Sequence, residues 1–287
     1  MNYTPKTMAV RAKTWPRSLS IIVFALVALL MLTALQRQLI YFPTRASSEQ
    51  LLAQASRLGL EPWKSVEGAY IGWKTPESNV TAFQMLVFHG NAGHALNREY
   101  FAAGFTALDP RFQVFLFEYP GYGAREGKPS EEQFQVAATD AVNLLLQNTA
   151  RPLFITGESL GSGVASFIAS TFGDRIAGLL LVTPFARLAD VASHHYPFLP
   201  VSLLLTERYD SVQALSDYAG PVAFLLAGRD EVVTTEQGQL LYDSYEGPKW
   251  LWIEEDAGHN TLPYRHSASW WRQAGDFLLA PLPAPQP

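Results

Sequence analysis

Short, continuous apolar runs alternate along this chain with segments that carry apolar residues on one side only. A strand-length run that is apolar at every position is typical of a parallel strand covered on both faces of its sheet. Such runs predict strands at 68–74, 82–88, 111–117, 152–156, 176–182, 222–227 and 250–253. Other segments predict helices at 46–60, 130–147, 162–172 and 267–279. The pattern therefore predicts an α/β protein with a mostly parallel central sheet and helices on both faces.

The longest apolar run lies near the N-terminus, at 19–35. A helix of roughly 17–25 apolar residues can span a bilayer, and we assign 19–36 as a transmembrane signal anchor. Residues 1–37 carry five basic and no acidic side chains, whereas the remaining 250 carry 16 basic and 26 acidic ones. By the positive-inside rule, this asymmetry predicts a cytoplasmic N-terminus and a folded domain on the periplasmic or extracellular side of the cell membrane.

The apolar run has two other interpretations. A cleaved signal peptide needs a small-residue cleavage site, and Leu32-Thr33-Ala34-Leu35 is a poor one. A lipoprotein anchor needs a cysteine, and the chain has none. We therefore favour a retained anchor over cleavage, although the sequence leaves both open.

Residues 157–161 read Gly-Glu-Ser-Leu-Gly and stand between a predicted strand and a predicted helix. A G-x-S-x-G pattern in this setting is the nucleophile elbow, a turn too tight for a Cβ at its two glycine positions. The turn would lift the Ser159 hydroxyl above the sheet edge, and Gly157 and Gly161 would supply the room. The pattern by itself also fits an ordinary glycine-rich turn, so partners elsewhere in the chain decide the interpretation.

An acid and a base follow Ser159 in the order Ser, Asp, His. Asp230 comes just after the strand predicted at 222–227, and His259 lies in the loop after the strand at 250–253. A serine is a poor nucleophile until an imidazole takes its proton, and a carboxylate fixes the tautomer of that imidazole. We predict Ser159, His259 and Asp230 as catalytic residues. The rival acids are Glu231, Glu254, Glu255 and Asp256.

Acyl transfer at a serine also needs backbone N–H groups that stabilise an oxyanion. One donor is expected at the residue after the nucleophile, Leu160, and the other in the loop after an early strand. The loop His-Gly-Asn-Ala-Gly at 89–93 follows the strand predicted at 82–88, and its glycines, Gly90 and Gly93, let the backbone turn. We predict Asn91 as the second donor, through its main chain, with Ala92 as the alternative.

These motifs resemble those of a family, the α/β-hydrolase superfamily. The resemblance is narrower to its membrane-anchored HGNAG-type serine hydrolases, a subgroup of bacterial anchored hydrolases with fungal and animal relatives linked to cell polarity and protein deacylation. It covers roughly 37–278 and implies a hydrolase domain at 37–279 with a small lid at about 186–214, flanked by a basic segment at 1–18 and a Pro-rich tail at 280–287. Its carriers are 41–43, 89–93, 118–123, 157–163, 183–185, 208–211, 228–230 and 258–260.

The motifs predict a serine hydrolase that cleaves acyl esters or thioesters through an acyl-enzyme, without a cofactor. A serine peptidase or amidase of the same fold, and a non-catalytic membrane scaffold, stay as alternatives. The expected partners are the membrane and a small acyl or lipid-like substrate. An acylated protein is the alternative substrate. The acidic domain argues against nucleic-acid binding. His194 and His195 suggest a metal site only weakly, because no H-E-x-x-H pattern accompanies them.

Overall fold

The computed structural model describes residues 17–148 and 150–280 of the 287-residue chain. The strands are β1 Phe42–Pro43, β2 Glu61–Lys64, β3 Tyr70–Lys74, β4 Phe83–Phe88, β5 Ala92–Gly93, β6 Phe112–Phe117, β7 Leu153–Glu158, β8 Ile176–Val182, β9 Val222–Ala227 and β10 Lys249–Glu254. The helices are α1 Arg17–Ile40, α2 Ser48–Arg57, α3 Glu99–Leu108, α4 Glu131–Asn148, α5 Leu160–Phe172, α6 Leu188–His195, α7 Val201–Leu204, α8 Ser211–Leu215, α9 Thr235–Ser244 and α10 Ser269–Leu279. Short 3-10 helices cover Ala95–Arg98 and Gly173–Arg175.

Eight of these strands form one sheet in the order β10-β9-β8-β7-β4-β6-β3-β2. The strands from β10 to β6 in this order all run parallel, whereas β3 and β2 run antiparallel to their neighbours. The predicted mostly parallel sheet is thus confirmed. The sequence pattern missed β2, because Trp63 is its only buried residue and its other side chains are charged or Pro.

Both faces of the sheet are covered, as the continuous apolar runs predicted. All six residues of β4 are buried, and they alternate between two separate cores: Leu86 and Phe88 belong to one, and Met85 and Val87 to the other. Alternate side chains of a strand point to opposite faces, so each core lies on its own side of the sheet. Because the carboxyl ends of β4, β7, β9 and β10 meet at one edge, the loops that follow them converge there.

The predicted helices appear within a few residues of their expected limits, but α3 and α9 were not predicted. Gly104 lies in the middle of α3, and glycine weakens a helical pattern. The structure supplies the reason for this glycine. A Cβ at Gly104 would lie 2.3 Å from the ring of Trp271 in α10, so the close approach of two helices excludes a side chain there.

The N-terminal helix α1 contains the predicted anchor, 19–36, and is longer than that prediction at both ends. Within the described part of the chain, no helix is both long enough and apolar enough to cross a membrane. The last turn of α1 joins the globular domain, where Gln36 is buried and Arg37 Nε donates to Glu207 Oε1 at 2.7 Å. Most of the predicted basic segment and all but one residue of the predicted tail lie outside the described residues.

Residues 186–214, where the sequence predicts a lid, hold α6, α7 and most of α8. An antiparallel bridge between Arg187 and Asp210 closes the base of this segment, and Arg187 Nε donates to Asp210 Oδ2 at 3.2 Å. Helix α7 contacts α1. The segment and the last turn of α1 thus stand together at the edge of the sheet where the β7–α5 turn lies.

Candidate active site

Ser159 occupies the sharp turn between β7 and α5. Its φ of 51° lies in a region that non-glycine residues seldom adopt. The turn leaves no space beside it: a Cβ at Gly161 would lie 2.1 Å from the carbonyl oxygen of Phe88, and one at Gly157 would lie 2.5 Å from that of Gly161. The two glycines are therefore required where β7, α5 and the end of β4 approach one another. Ser159 itself is only 8% exposed.

The structure brings Ser159, His259 and Asp230 into one hydrogen-bonded chain. His259 Nε2 lies 3.0 Å from Ser159 Oγ, and His259 Nδ1 lies 2.7 Å from Asp230 Oδ2. Because a carboxylate only accepts hydrogen bonds, Nδ1 carries the proton, and Nε2 can accept the proton of the Ser159 hydroxyl. This arrangement allows an imidazole to act as a base toward a serine.

Asp230 is fixed in the loop after β9. Its Oδ1 accepts backbone N–H groups of Val232 and Val233, both at 2.9 Å, which leaves Oδ2 for His259. The four rival acids lie elsewhere. Glu231 and Glu255 are exposed, Trp252 Nε1 donates to Glu254 Oε2 at 3.1 Å, and Asp256 pairs with Arg229 at 2.5 Å.

The loop at 89–93 passes beside Ser159. Asn91 and Leu160 border the same cavity as Ser159, whereas Ala92 does not border it. The Asn91 side chain is bound by the end of α1, because its Nδ2 donates to the carbonyl of Ile40 at 2.9 Å. Its own carbonyl accepts the Phe42 N–H at 2.9 Å and the Tyr122 hydroxyl at 2.7 Å. Asn91 and Leu160, the latter at the first turn of α5, therefore both lie at the cavity that Ser159 borders.

A buried carboxylate joins this loop to the nucleophile turn. Glu158 Oε2 accepts Arg98 Nε at 2.5 Å and the Gly90 N–H at 3.3 Å, while Oε1 accepts the hydroxyls of Tyr100 at 2.6 Å and Tyr264 at 3.3 Å. Burial acts to raise the pKa of Glu158, but the charge of Arg98 and these hydrogen bonds outweigh it and hold the pKa below its usual value of 4.5. Glu158 is thus an ion held in the interior by four partners.

A second buried acid supports the loop from its other side. Glu118 accepts the backbone N–H of Ala95 at 3.1 Å and the hydroxyl of Tyr70 at 3.2 Å, and its Oε1 lies 3.3 Å from His89 Nε2. His89 Nδ1 donates to the carbonyl of Gly90 at 2.7 Å. Neither Glu118 nor Glu158 is among the site residues predicted from the sequence. The only signal for such a role in the sequence near either residue is an acidic side chain beside a glycine motif, among residues that are otherwise apolar.

A cavity of about 280 Å³ opens beside Ser159. Its walls are mostly aliphatic and come from three places: the predicted lid, the loop after Asp230 and the last turn of α1. His195 lies in this wall, and its Nε2 donates to the carbonyl of Val232 at 2.8 Å. Among the described residues, no group of three or more His, Cys, Asp or Glu is placed to hold a metal ion.

Comparison with known proteins agrees with this fold. Residues 85–231 match the family model described as the alpha/beta hydrolase fold. An uncharacterized protein of Mycobacterium tuberculosis is 33% identical over 78% of this chain and 80% of its own length. The uncharacterized membrane protein YNL320W of Saccharomyces cerevisiae is 30% identical over 72% and 74%. The lysophosphatidylserine lipase ABHD12 of Danio rerio is 28% identical over 77% and 64%.

The same fold is found among solved structures. A Pyrococcus furiosus esterase covers 84% of this chain and 98% of its own, with a TM-score of 0.62 and 16% sequence identity. At 16% sequence identity, this similarity shows only that the two chains share a fold. Together with the family match, it shows that this chain belongs to the α/β-hydrolase family.

Proposed function

We propose that this chain is a serine hydrolase that cleaves acyl esters or thioesters through Ser159, His259 and Asp230. The observation that carries the proposal is the hydrogen-bonded chain from Ser159 Oγ to His259 at 3.0 Å and on to Asp230 at 2.7 Å, beside an apolar cavity that Ser159 lines. A hydroxyl, a base and an acid in this order are what nucleophilic catalysis by serine requires.

In the proposed reaction, Ser159 Oγ attacks the acyl carbon while His259 Nε2 takes its proton. Asp230 stabilises the resulting imidazolium, and the N–H groups of Asn91 and Leu160 hold the oxyanion, each contributing about 3–4 kcal/mol in the transition state. His259 then protonates the leaving oxygen or sulfur, and the acyl-enzyme forms. Water, activated by the same imidazole, attacks the acyl carbon and releases the acid and Ser159.

The apolar walls of the cavity favour an ester or thioester of an apolar acid over a peptide. A peptide substrate would bring polar backbone groups that need hydrogen-bonding partners, and the walls are mainly leucine, valine and isoleucine. The lipase activity named for one similar protein, ABHD12 of Danio rerio, points the same way.

A fluorophosphonate probe, combined with hydrolysis of p-nitrophenyl butyrate, tests the proposal. We expect the folded wild-type chain to be labelled and active, and Ser159→Ala to lose labelling and about 10⁴-fold or more of its rate. His259→Ala should lose most of the labelling and most of the rate.

Ser56→Ala, which removes an exposed serine of α2, serves as the control and should match the wild type. A folded wild-type chain that is neither labelled nor active would contradict the proposal and favour a non-catalytic scaffold, whereas cleavage of amides alone would favour a peptidase or amidase.

We also propose that the chain works at a membrane, with its N-terminus on the cytoplasmic side. Three observations support this. Residues 1–37 carry only basic charges. Apolar side chains are exposed on α1, such as Phe24, and on the predicted lid, where Phe198 is 97% exposed. A similar yeast protein is described as a membrane protein.

A further inference from the structure

The last turn of α1 is part of the wall around Ser159. Gln36, Leu39 and Ile40 border the same cavity as the nucleophile, together with Leu199 and Leu204 of the predicted lid. Leu39 is 51% exposed, so it stands where the cavity opens toward the surface. An N-terminal helix that only anchored the chain would have no reason to line this cavity.

Specific hydrogen bonds hold this turn in place. The backbone N–H of Thr206 donates to Gln36 Oε1 at 2.7 Å, and Arg37 Nε donates to the buried carboxylate of Glu207 at 2.7 Å. At the end of the helix, the carbonyl of Ile40 accepts Asn91 Nδ2 at 2.9 Å. The wall is therefore tied both to the predicted lid and to the loop proposed to hold the oxyanion.

The chemistry decides which half of a substrate would lie in this cavity. In the proposed reaction, the leaving group takes its proton from His259, so it departs on the His259 side of the serine. His259, which the structure describes, is not among the residues that border the cavity, whereas Ser159, Asn91 and Leu160 are. The cavity thus begins at the nucleophile and the loop proposed to hold the oxyanion, where the acyl carbon of a substrate would lie.

We propose that this cavity is an acyl-chain site whose outer wall is the last turn of α1, and that Leu39 sets the length of acyl chain accepted. The proposal rests on the proposed serine hydrolase function and names its substrate class, esters of unbranched aliphatic acids. Each methylene buried along the aliphatic walls should raise kcat/KM about fourfold, the equivalent of about 0.8 kcal/mol. The increase should stop where the chain reaches Leu39 and leaves the cavity.

Two series of esters test this on the full chain. In one, the alcohol is p-nitrophenol and the acid lengthens from acetate to dodecanoate; in the other, acetate is kept and the alcohol lengthens. We expect kcat/KM to rise with acid length and to depend little on alcohol length. Leu39→Trp should lower kcat/KM for the longer acids about tenfold or more and leave acetate within about twofold, because the indole would fill the outer end of the cavity. Leu39→Ala should move the optimum to longer acids.

Leu52→Trp provides the matched control, since Leu52 is an exposed leucine of α2 that does not border the cavity. It should keep the wild-type length profile. An unchanged profile in both Leu39 variants, or a wild-type rate that follows alcohol length instead, would overturn the acyl-chain proposal while leaving the serine hydrolase intact. Absence of hydrolysis across both series, in a wild-type chain that also resists the fluorophosphonate, would instead remove the proposed function itself.

Discussion

Ser159 combines an uncommon backbone angle with near-complete burial, and both follow from its neighbours rather than from the serine. The φ of 51° is held by the backbone contacts that exclude a Cβ at Gly157 and Gly161. Strain of this kind persists only where the surrounding structure fixes it. Glu158 helps to fix the structure around this turn, because its carboxylate binds Arg98 and the N–H of Gly90 at the same time.

Glu158→Gln tests whether this carboxylate positions the loop. The amide is similar in size but carries no charge, so Arg98 would be left unpaired in a site where its guanidinium is largely buried. We expect a loss of about 3 kcal/mol in the free energy of unfolding. We also expect kcat to fall about tenfold with KM little changed, because the loop donors act mainly in the transition state. Denaturant titration and steady-state kinetics measure the two effects, with the exposed Glu255→Gln as the control.

The stability difference between the wild type and Glu158→Gln should depend on pH. Since the pKa of Glu158 is held below its usual 4.5 in the folded chain, its contribution to stability is fully present above that value. The contribution is lost as the pH falls through the lower folded pKa. The stability difference between wild type and Glu158→Gln should therefore be constant near neutral pH and shrink on acidification. A difference that stays constant down to acid unfolding would show that the charge of Glu158 does not matter.

At the scale of elements, the predicted lid, α1 and α4 meet at one buried carboxylate. Glu207 accepts Arg37 Nε at 2.7 Å, the Glu131 N–H at the start of α4 at 2.5 Å, and the hydroxyl of Tyr41. Burial and the hydrogen bond to Glu207 raise the pKa of Tyr41, so its hydroxyl stays a donor. Three parts of the chain distant in sequence thus depend on one side chain.

Glu207→Ala should loosen this junction. It removes the acceptor from one cation, one hydroxyl and one backbone N–H, and buried donors without acceptors cost about 1–3 kcal/mol each. We expect thermal and denaturant unfolding to show a loss of about 3 kcal/mol. If the last turn of α1 forms the outer wall of the acyl-chain site, KM for long-chain esters should rise more than KM for the acetate ester. Glu132→Ala, at an exposed acid in the first turn of α4, should leave both quantities near wild type.

At the scale of the whole molecule, charge and exposed apolar surface suggest how the chain sits in the cell. The chain contains no cysteine, so a single introduced thiol reports its own location. We expect a membrane-impermeant maleimide to label Asn79→Cys, an exposed loop position, in intact cells. Thr7→Cys should be labelled only after the cells are permeabilised. Labelling of Thr7→Cys in intact cells, or release of the chain from membranes by high salt, would contradict the proposed topology.

Much of the fold could be predicted from the sequence because its signals are local. A run such as Leu179 to Val182 is apolar at every position, which is typical of a strand covered on both faces. The strand–Gly-x-Ser-x-Gly–helix pattern likewise specifies a turn by the size of its own residues. The acid and the base could be proposed because each follows a recognisable strand, and parallel strands bring their carboxyl ends to one edge.

The remaining features were decided by packing between residues far apart in the chain. Nothing local to Glu158 indicates that Arg98, Tyr100 and Tyr264 converge on it. The composition of 19–36 also does not indicate that the end of α1 lines a cavity beside Ser159. From the sequence alone, the apolar run predicts only a membrane anchor. Local sequence determines the kind of element and where it turns, because sterics and hydrophobic burial act over a few residues. Only the tertiary structure decides which elements share a buried charge or a cavity wall.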